Sequence, residues 1–423
     1  MPGQPLSIAP FSIAYIVRDP LPPVRADVLA LFGTEMPRYG VATELVGQGG
    51  GDAGAAPWPA GGMHVVGTLR HPLAGVCAPL WDLLGLLRSL RRRRPDCIQV
   101  RDKVASGLLG RIAAAVLRVP FVYWMSFPIV EGFEVRLDDL RAALRDDPQA
   151  AGGARARLLR TAHALRARLS RAVIYRWVLP GARHIFVQSE AMAAWLAAKG
   201  LDPARMTAVP MGVDADLFDR ARIAPATDPR LDGRRVVVYL GRIARSRRSD
   251  FLLDVADILR RALPASLLVI AGDAPSDDEM AWMRREIAAR GLGRHVLLTG
   301  WLPQRTALGY AVRAEVGLSP IPRGTLFDVS SPTKLVEYMA LGIPSVANDI
   351  PDQQLVIAQS GAGLCVPMEA GAFAAAALRL LNDPVAAEQF AKRGPAYVKS
   401  HRTYAILGRN VANTYHNILT GHD

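Results

Sequence analysis

The chain has 423 residues, half of them hydrophobic, which is enough for two or three domains with large cores and excludes global disorder. Its formal net charge of +13 favours an anionic partner: nucleic acid, an anionic membrane or a phosphorylated substrate. No uncharged apolar run reaches ~18 residues, three scattered cysteines (Cys77, Cys97, Cys365) give neither a disulfide framework nor a zinc spacing, and HExxH, GxSxG and GxxxxGK[ST] are missing.

From the N-terminus, Phe11 to Val17 reads as a strand, residues 25–39 as a helix and Val41 to Gly47 as a second strand. The first residues lack the basic start and small-residue cleavage site of a signal peptide, so a cytoplasmic chain is expected. Gly, Ala and Pro dominate 47–62, which reads as a flexible surface loop. MHVVGT is a third strand, and Leu80 to Arg94 a helix ending in arginines. CIQV, FVYWMS and HIFVQS are further buried strands with helices between them. The second half repeats the rhythm with RVVVYLGR, SLLVIAGD, HVLLTGWL, VGLSPI, PSVAND and GLCVP. Strands alternating with helices predict parallel sheets covered on both faces. The fold class expected is α/β, with two doubly wound Rossmann-like domains facing across a cleft. The domains are drawn as 1–215 and 216–394, and 395–423 as a helical segment that returns to the first domain.

Three segments of the second half suit phosphate chemistry. Gly241 follows a strand directly, and Arg242 and Arg247 come next, at the carboxyl end where ligands of such sheets bind. Gly272 closes the next strand, where a missing Cβ lets a ligand approach. In DVSSPTKLVEYMALGIPSVAND, Ser331 reads as the N-cap and Pro332 as the first residue of a helix. Its N-terminus, with free N–H groups and the charge of Lys334, would face an anion. Glu337 shares a face with Lys334 and would accept hydrogen bonds from hydroxyls, as on a ribose. Read alone, the helix could equally carry a solvated ion pair; three phosphate-like elements in one domain favour a nucleotide diphosphate.

These motifs resemble the retaining GT-B glycosyltransferases of family 4. Gly241, Arg242 and Ile243, with Arg247 in a lysine's place, match one signature. Pro332, Lys334, Glu337, Tyr338, Met339, Ala340, Gly342 and Pro344 match another, and Val209 to Asp214 with Phe218 resemble the hinge. The resemblance implies transfer of a sugar from a nucleotide-diphosphate donor to a glycan or a polyprenyl or other lipid-linked acceptor, with retention and without metal or cofactor. Arg242 and Arg247 would hold the diphosphate, Lys334 and the amides near Ser331 and Thr333 the phosphates or sugar, with Ser330 beside them on the donor side, and Glu337 the ribose.

The sequence departs from that pattern in three places. Val329 stands where the family has the first glutamate of a pair, which leaves Asp328 as the neighbouring carboxylate. Residues 22–25, ending in Arg25, replace a Gly-Gly loop, and Ser126 occupies a place where His or Asp is frequent. Arg25 and Ser126 are thus the acceptor-side candidates. An epimerase of the same fold and a non-catalytic partner of another transferase stay open, whereas no nucleic-acid-binding motif is present. Arginines interleaved with Leu158, Leu159, Leu165, Leu169, Val173, Ile174 and Trp177 give a basic amphipathic helix. Such a helix suits peripheral attachment to the anionic inner face of a membrane.

Overall fold

The computed structural model describes residues 11–50, 57–146 and 154–421, without side chains at 139–146, 154–157 and 159. The chain divides into two compact units, Met1–Pro210 with Leu407–Asp423, and Met211–Ile406.

The first unit is built on seven strands: β1 (Phe11–Ile16), β2 (Val41–Gly49), β3 (Met63–Thr68), β4 (Cys97–Arg101), β5 (Phe121–Met125), β6 (His184–Val187) and β7 (Met206–Ala208). All pair in parallel in the order β3-β2-β1-β4-β5-β6-β7. Ile13, Ala14, Tyr15, Val122, Tyr123 and Trp124 are all buried, so neighbouring residues on opposite faces are both covered. That is why these strands read as continuous apolar runs rather than alternating ones. The three-residue edge strand β7 was not anticipated; MTA is too short to show a period.

The segment 47–62, expected as a flexible loop, is largely structured where described. Strand β2 continues through Gly49, and Gln48 is buried with its amide donating to Asp82 Oδ1 at 2.7 Å. Trp58 is buried too, its indole N–H donating to Thr43 Oγ1 at 2.9 Å. A side chain on Gly47 would meet Leu21 at 3.2 Å, so tight packing selects the glycine that composition reads as looseness. Residues 51–56 lie outside the described part.

The second unit has six strands: β8 (Arg235–Leu240), β9 (Ser266–Ala271), β10 (Val296–Gly300), β11 (Val316–Ser319), β12 (Ser345–Asn348) and β13 (Gly363–Val366). Their order is β10-β9-β8-β11-β12-β13, again parallel. Val238 and Val269 enter one core, and Val237, Leu268 and Ile270 the other, one on each face of the sheet. The chain leaves β8 toward β10 and returns at β11 to build outward on the other side. The carboxyl ends of β8 and β11 therefore flank the crevice in which open α/β sheets bind ligands.

The single helix expected from about Pro395 to Ile418 is two, Pro384–His401 and Tyr404–Thr420, with Pro395 inside the first. The break has a cause. Val213 N–H donates to the Arg402 carbonyl and Tyr404 N–H to the Val213 carbonyl, so a strand-like pairing interrupts the helical ladder.

Candidate functional site

The carboxyl end of β8 turns at Gly241, whose φ of 150° lies outside the range of most side-chain-bearing residues. Tyr239, the penultimate strand residue, holds the turn by donating its hydroxyl to the Arg242 carbonyl at 3.3 Å. The next residues form a short turn, Arg245–Arg247, and four arginines project from 242–248. Two are already engaged. Arg245 pairs with Glu279 at 3.5 Å and lies over the Trp282 ring, and Arg248 pairs with Asp250 at 3.4 Å. Arg242 and Arg247 have no side-chain partner among the described residues, and both line a pocket of about 540 Å³. An arginine-rich surface turn would leave all four alike; here the two that face the pocket are the two left free.

The same pocket is lined by Gly241, Gly272, Thr333, Lys334 and Glu337. Lys334 and Glu337 belong to the helix Thr333–Ala340 that follows β11. Lys334 is buried, its ammonium 5.1 Å from the centre of the Tyr239 ring and without a hydrogen-bonding partner among the described residues. An ammonium on a buried stem, set over an aromatic face and free of hydrogen bonds within the fold, is poised for an anion. One turn along, Glu337 has its pKa pushed up to about 7 by desolvation, against which the charge of Lys334 pulls it down. The helix is fixed by Tyr338: its oxygen accepts from the Leu240 N–H at 2.7 Å and its hydroxyl donates to the Leu318 carbonyl at 3.3 Å. One phenol thus ties the helix to the ends of β8 and β11.

The structure does not bring Asp328, Ser330 and Ser331 into this pocket. Asp328 accepts from Arg323 Nε at 2.8 Å and from the Gly324 N–H at 3.2 Å. Ser330 donates to the Phe327 carbonyl at 2.6 Å. Ser331, expected as the N-cap, is buried; it accepts from the Met211 N–H at 3.0 Å and donates to Asp352 at 2.7 Å. Pro332 occupies the cap position instead, with an extended ψ of 131°. The hydroxyl is taken by longer-range contacts, which a local capping pattern does not reveal.

Gly272 lines the pocket, yet its lack of a side chain has another cause. A Cβ there would lie 1.9 Å from the Gly241 carbonyl oxygen, so it is the chain's own backbone, not a ligand, that demands glycine. Gly272→Ala should therefore destabilise the second unit by about 2–3 kcal/mol, as forced overpacking does. A chemical-denaturation midpoint within error of the wild type would contradict this.

The sequence motifs missed one wall of the pocket. Phe218, Trp301, Leu302, Gln304 and Leu308 line it as well, with Trp301 70% exposed just past β10. An exposed tryptophan beside a cation-lined pocket offers a stacking face, but in sequence it is a lone aromatic after a strand. A larger hollow of about 1110 Å³ lies beside Arg235, Ala314 and Pro344, at the opposite ends of the strands. Its arginines are taken: Arg235 pairs with Glu315 at 2.7 Å, and Arg220 donates to the Leu341 and Val312 carbonyls. Charge, not volume, locates the site.

In the first unit, the carboxyl ends of β1 and β4 carry a buried ionic network. Arg101 is 1% exposed and donates to Asp27 Oδ2 at 2.5 Å. Asp27 also accepts from Arg25 at 2.9 Å, and the two guanidiniums hold its carboxyl well below the usual range against the opposing cost of burial. Asp102, with φ of 48°, accepts from the Ser126 N–H at 2.9 Å and from the Ser126 hydroxyl. Its pKa is raised by burial. Arg101 lies 3.7 Å from Asp102, so Arg25 and Ser126 are joined through it, each already satisfied within the fold. Beside them, Lys103 donates to Asp82 and Gln48 at 2.8 and 3.0 Å. Arg18, exposed just past β1, makes no side-chain hydrogen bond or ion pair among the described residues, though its charge reaches Asp102. Sequence reading found the two ends of this network but not Arg101, which closes the apolar strand β4. Among the described residues no cluster of three or more His, Cys, Asp or Glu side chains could hold a metal ion.

Comparison with known proteins bears on both units. Residues 26–212 match the model of the glycosyl transferase 4-like domain and residues 234–383 that of the glycosyl transferases group 1. The chain is 28% identical over 189 residues to alpha-D-kanosaminyltransferase of Streptomyces kanamyceticus, covering 44% of this chain and 47% of that protein. It is 31% identical over 149 residues to a GDP-mannose-dependent alpha-(1-6)-phosphatidylinositol monomannoside mannosyltransferase of Mycolicibacterium smegmatis, covering 33% and 37%. The matches thus span about half, or less, of the length of these relatives. Among solved structures, Anabaena HepE in complex with UDP superposes with a TM-score of 0.65 at 16% identity, over 96% of this chain and 100% of that one. Sucrose-phosphate synthase of Thermosynechococcus elongatus gives 0.68 at 17% identity, over 97% and 100%.

Proposed function

The chain belongs to the group 1 glycosyl transferases, of the GT-B class, and from that premise we propose that it transfers a hexose from a nucleotide-diphosphate sugar to a hydroxyl of a glycan or lipid-linked acceptor, with retention of anomeric configuration. The observation that carries the proposal is the pairing of two free arginines, Arg242 and Arg247, with the hydrogen-bond-free ammonium of the buried Lys334 side chain around one pocket. Three cations against one carboxyl of raised pKa suit a diphosphate. Glu337 accepts from the ribose hydroxyls and Trp301 offers its exposed face to the base. An acceptor hydroxyl attacks the anomeric carbon as the bond to the diphosphate oxygen breaks, and the hydroxyl proton passes to that departing oxygen. The negative charge building on that oxygen is met by groups already in position, which stabilises the transition state more than the ground state. The carboxylate at Asp328 takes no part, being bound to Arg323.

Since Arg242, Arg247 and Lys334 supply the neutralising charge, the reaction is proposed to need no metal; turnover should be unchanged by EDTA. Acceptors are proposed to enter over the ionic floor of the first unit, near Ser126 and Arg25, and the lipid-linked class would place the work at an anionic membrane surface. Incubation with isotopically labelled UDP- and GDP-sugars and a screen of acceptors tests the reading. A glycoside of unchanged anomeric configuration by NMR supports it. An epimerised nucleotide sugar, or nucleotide binding with neither transfer nor hydrolysis, overturns it.

A further inference from the structure

Two neighbouring helices of the first unit are apolar on the wrong side. In the helix Ala74–Arg92 the buried face carries Asp82, Gly85, Leu86 and Ser89. The opposite face shows Leu73, Val76, Leu80, Leu84 and Leu87, exposed by 58, 80, 58, 42 and 48%. Their spacing of three and four residues keeps them on one stripe. The helix Val104–Leu117 repeats the inversion: Ser106, Gly107, Gly110 and Ala114 face inward, while Ile112 and Val116 are exposed. The inward face has to be small. A Cβ on Gly85 would lie 2.6 Å from Val46, and one on Gly110 2.7 Å from Val100. Close approach to the sheet explains the small residues inside; it does not explain the large apolar ones outside.

The charges on this face are one-sided. Asp82 is the only acid in either helix, and it is buried under Lys103 and Ser106. Both helices end in arginine: Arg88, Arg91 and Arg92, followed by Arg94, which donates to the Leu117 carbonyl at the end of the second helix, beside Arg118. Arg91 and Arg118 have no side-chain partner among the described residues. Within the second helix, Arg111 donates to the Trp177 carbonyl at 2.6 Å, and the Trp177 ring is 57% exposed. The helix Ala154–Ala172, expected from sequence to meet a membrane, shows Leu158, Leu165 and Leu169 in the same way; Leu159 lies outside the described side chains.

We propose that the outer face of the helices Ala74–Arg92 and Val104–Leu117 lies on an anionic lipid bilayer, the leucine and valine stripe entering the acyl boundary and the terminal arginines meeting the headgroups. A second copy of the chain is the poorer occupant, since it would bring a like-charged arginine cluster against this one. No helix among the described residues is long and apolar enough to cross a membrane, so the contact is interfacial. The inference deepens the lipid-linked reading of the acceptor and rests on it for its purpose, though its geometry is independent of nucleotide binding.

Flotation of the full chain with phosphatidylcholine vesicles, with and without phosphatidylglycerol, tests it. The wild type should float with the anionic vesicles only, less at high salt, and Leu80→Glu with Leu84→Glu should lower the partition coefficient about tenfold or more. Val76→Ser, at the most exposed position, should lower it measurably without threatening the fold, and unchanged thermal unfolding checks that. Failure to float, or equal flotation of Val76→Ser and the double variant with the wild type, overturns the proposal. So does self-association in sedimentation that these variants abolish while vesicles are ignored. Nucleotide titration of the same samples keeps this outcome separate from the transferase reading.

Discussion

Replacing both Arg242 and Arg247 by alanine should remove measurable nucleoside-diphosphate binding and, with it, sugar transfer. Each guanidinium faces the pocket with no partner to satisfy it, so a bound diphosphate would receive charge-assisted hydrogen bonds at no cost in broken ion pairs. A hydrogen bond to a charged group contributes about 1.5–3 kcal/mol, which is roughly 10- to 100-fold in affinity for each arginine and about 10²- to 10⁴-fold for both. The neighbouring pair provides the control. Arg245→Ala and Arg248→Ala delete the same charge from the same turn, but their side chains serve Glu279 and Asp250. They should leave affinity within about threefold, because long-range charge alone is screened at physiological salt. Calorimetry with UDP, GDP and ADP on the four single variants, Arg242→Ala, Arg247→Ala, Arg245→Ala and Arg248→Ala, separates specific placement from bulk charge. An equal loss in all four would show that only net charge matters.

Glu337→Gln should make the protein more stable and the nucleotide complex weaker. Desolvation pushes the Glu337 carboxyl up to about 7, against 4.5 for the free group. Between those two values the unfolded chain binds fewer protons than the folded one, so stability falls as pH rises from below 4.5 through 7. Above neutrality the buried charge costs about 2 kcal/mol, a figure reduced for the partial exposure of the residue. Glutamine removes that cost, so the variant should gain stability at pH 8 and little at pH 4. The same carboxylate accepts from the ribose in the proposed complex, and its loss should weaken nucleotide binding about 10- to 100-fold. In the wild type affinity should rise between pH 6 and 8 as Glu337 ionises, and the Gln variant should lose that slope. Thermal unfolding across pH, with titrations at both ends, checks the two signs together. A variant less stable at pH 8 and with unchanged affinity would make Glu337 an ordinary structural acid.

Much of this was legible in the sequence for identifiable reasons. The strands were readable because parallel strands buried on both faces leave uninterrupted apolar runs, Gly241, Arg242 and Arg247 because they follow such a run, and Lys334 and Glu337 because they share a face in the first turns of a helix. What sequence could not show was partnership. Arg245 and Arg242 look alike in LGRIARSRR, and only the packing of the helix Asp277–Ala289 brings Glu279 to one of them. Ser331 looked like a cap because its competitors, Met211 and Asp352, lie 120 and 21 residues away. Gly272 looked like a ligand contact because nothing local announces the Gly241 carbonyl against it. The outward leucines of Ala74–Arg92 were not anticipated, since a periodic pattern gives a face but not its direction.

The most direct test is isothermal titration of nucleoside diphosphates into the wild-type chain and into Lys334→Ala. The Lys334 ammonium over Tyr239 makes no hydrogen bond or ion pair among the described residues, Glu337 being its one charged neighbour there. The wild type should bind at least one of UDP, GDP and ADP with a dissociation constant at or below about the millimolar range, and Lys334→Ala should weaken it by roughly 10- to 100-fold. Equal binding by both proteins, or no binding of any nucleoside diphosphate by the wild type, would contradict the assignment of this pocket as the donor site.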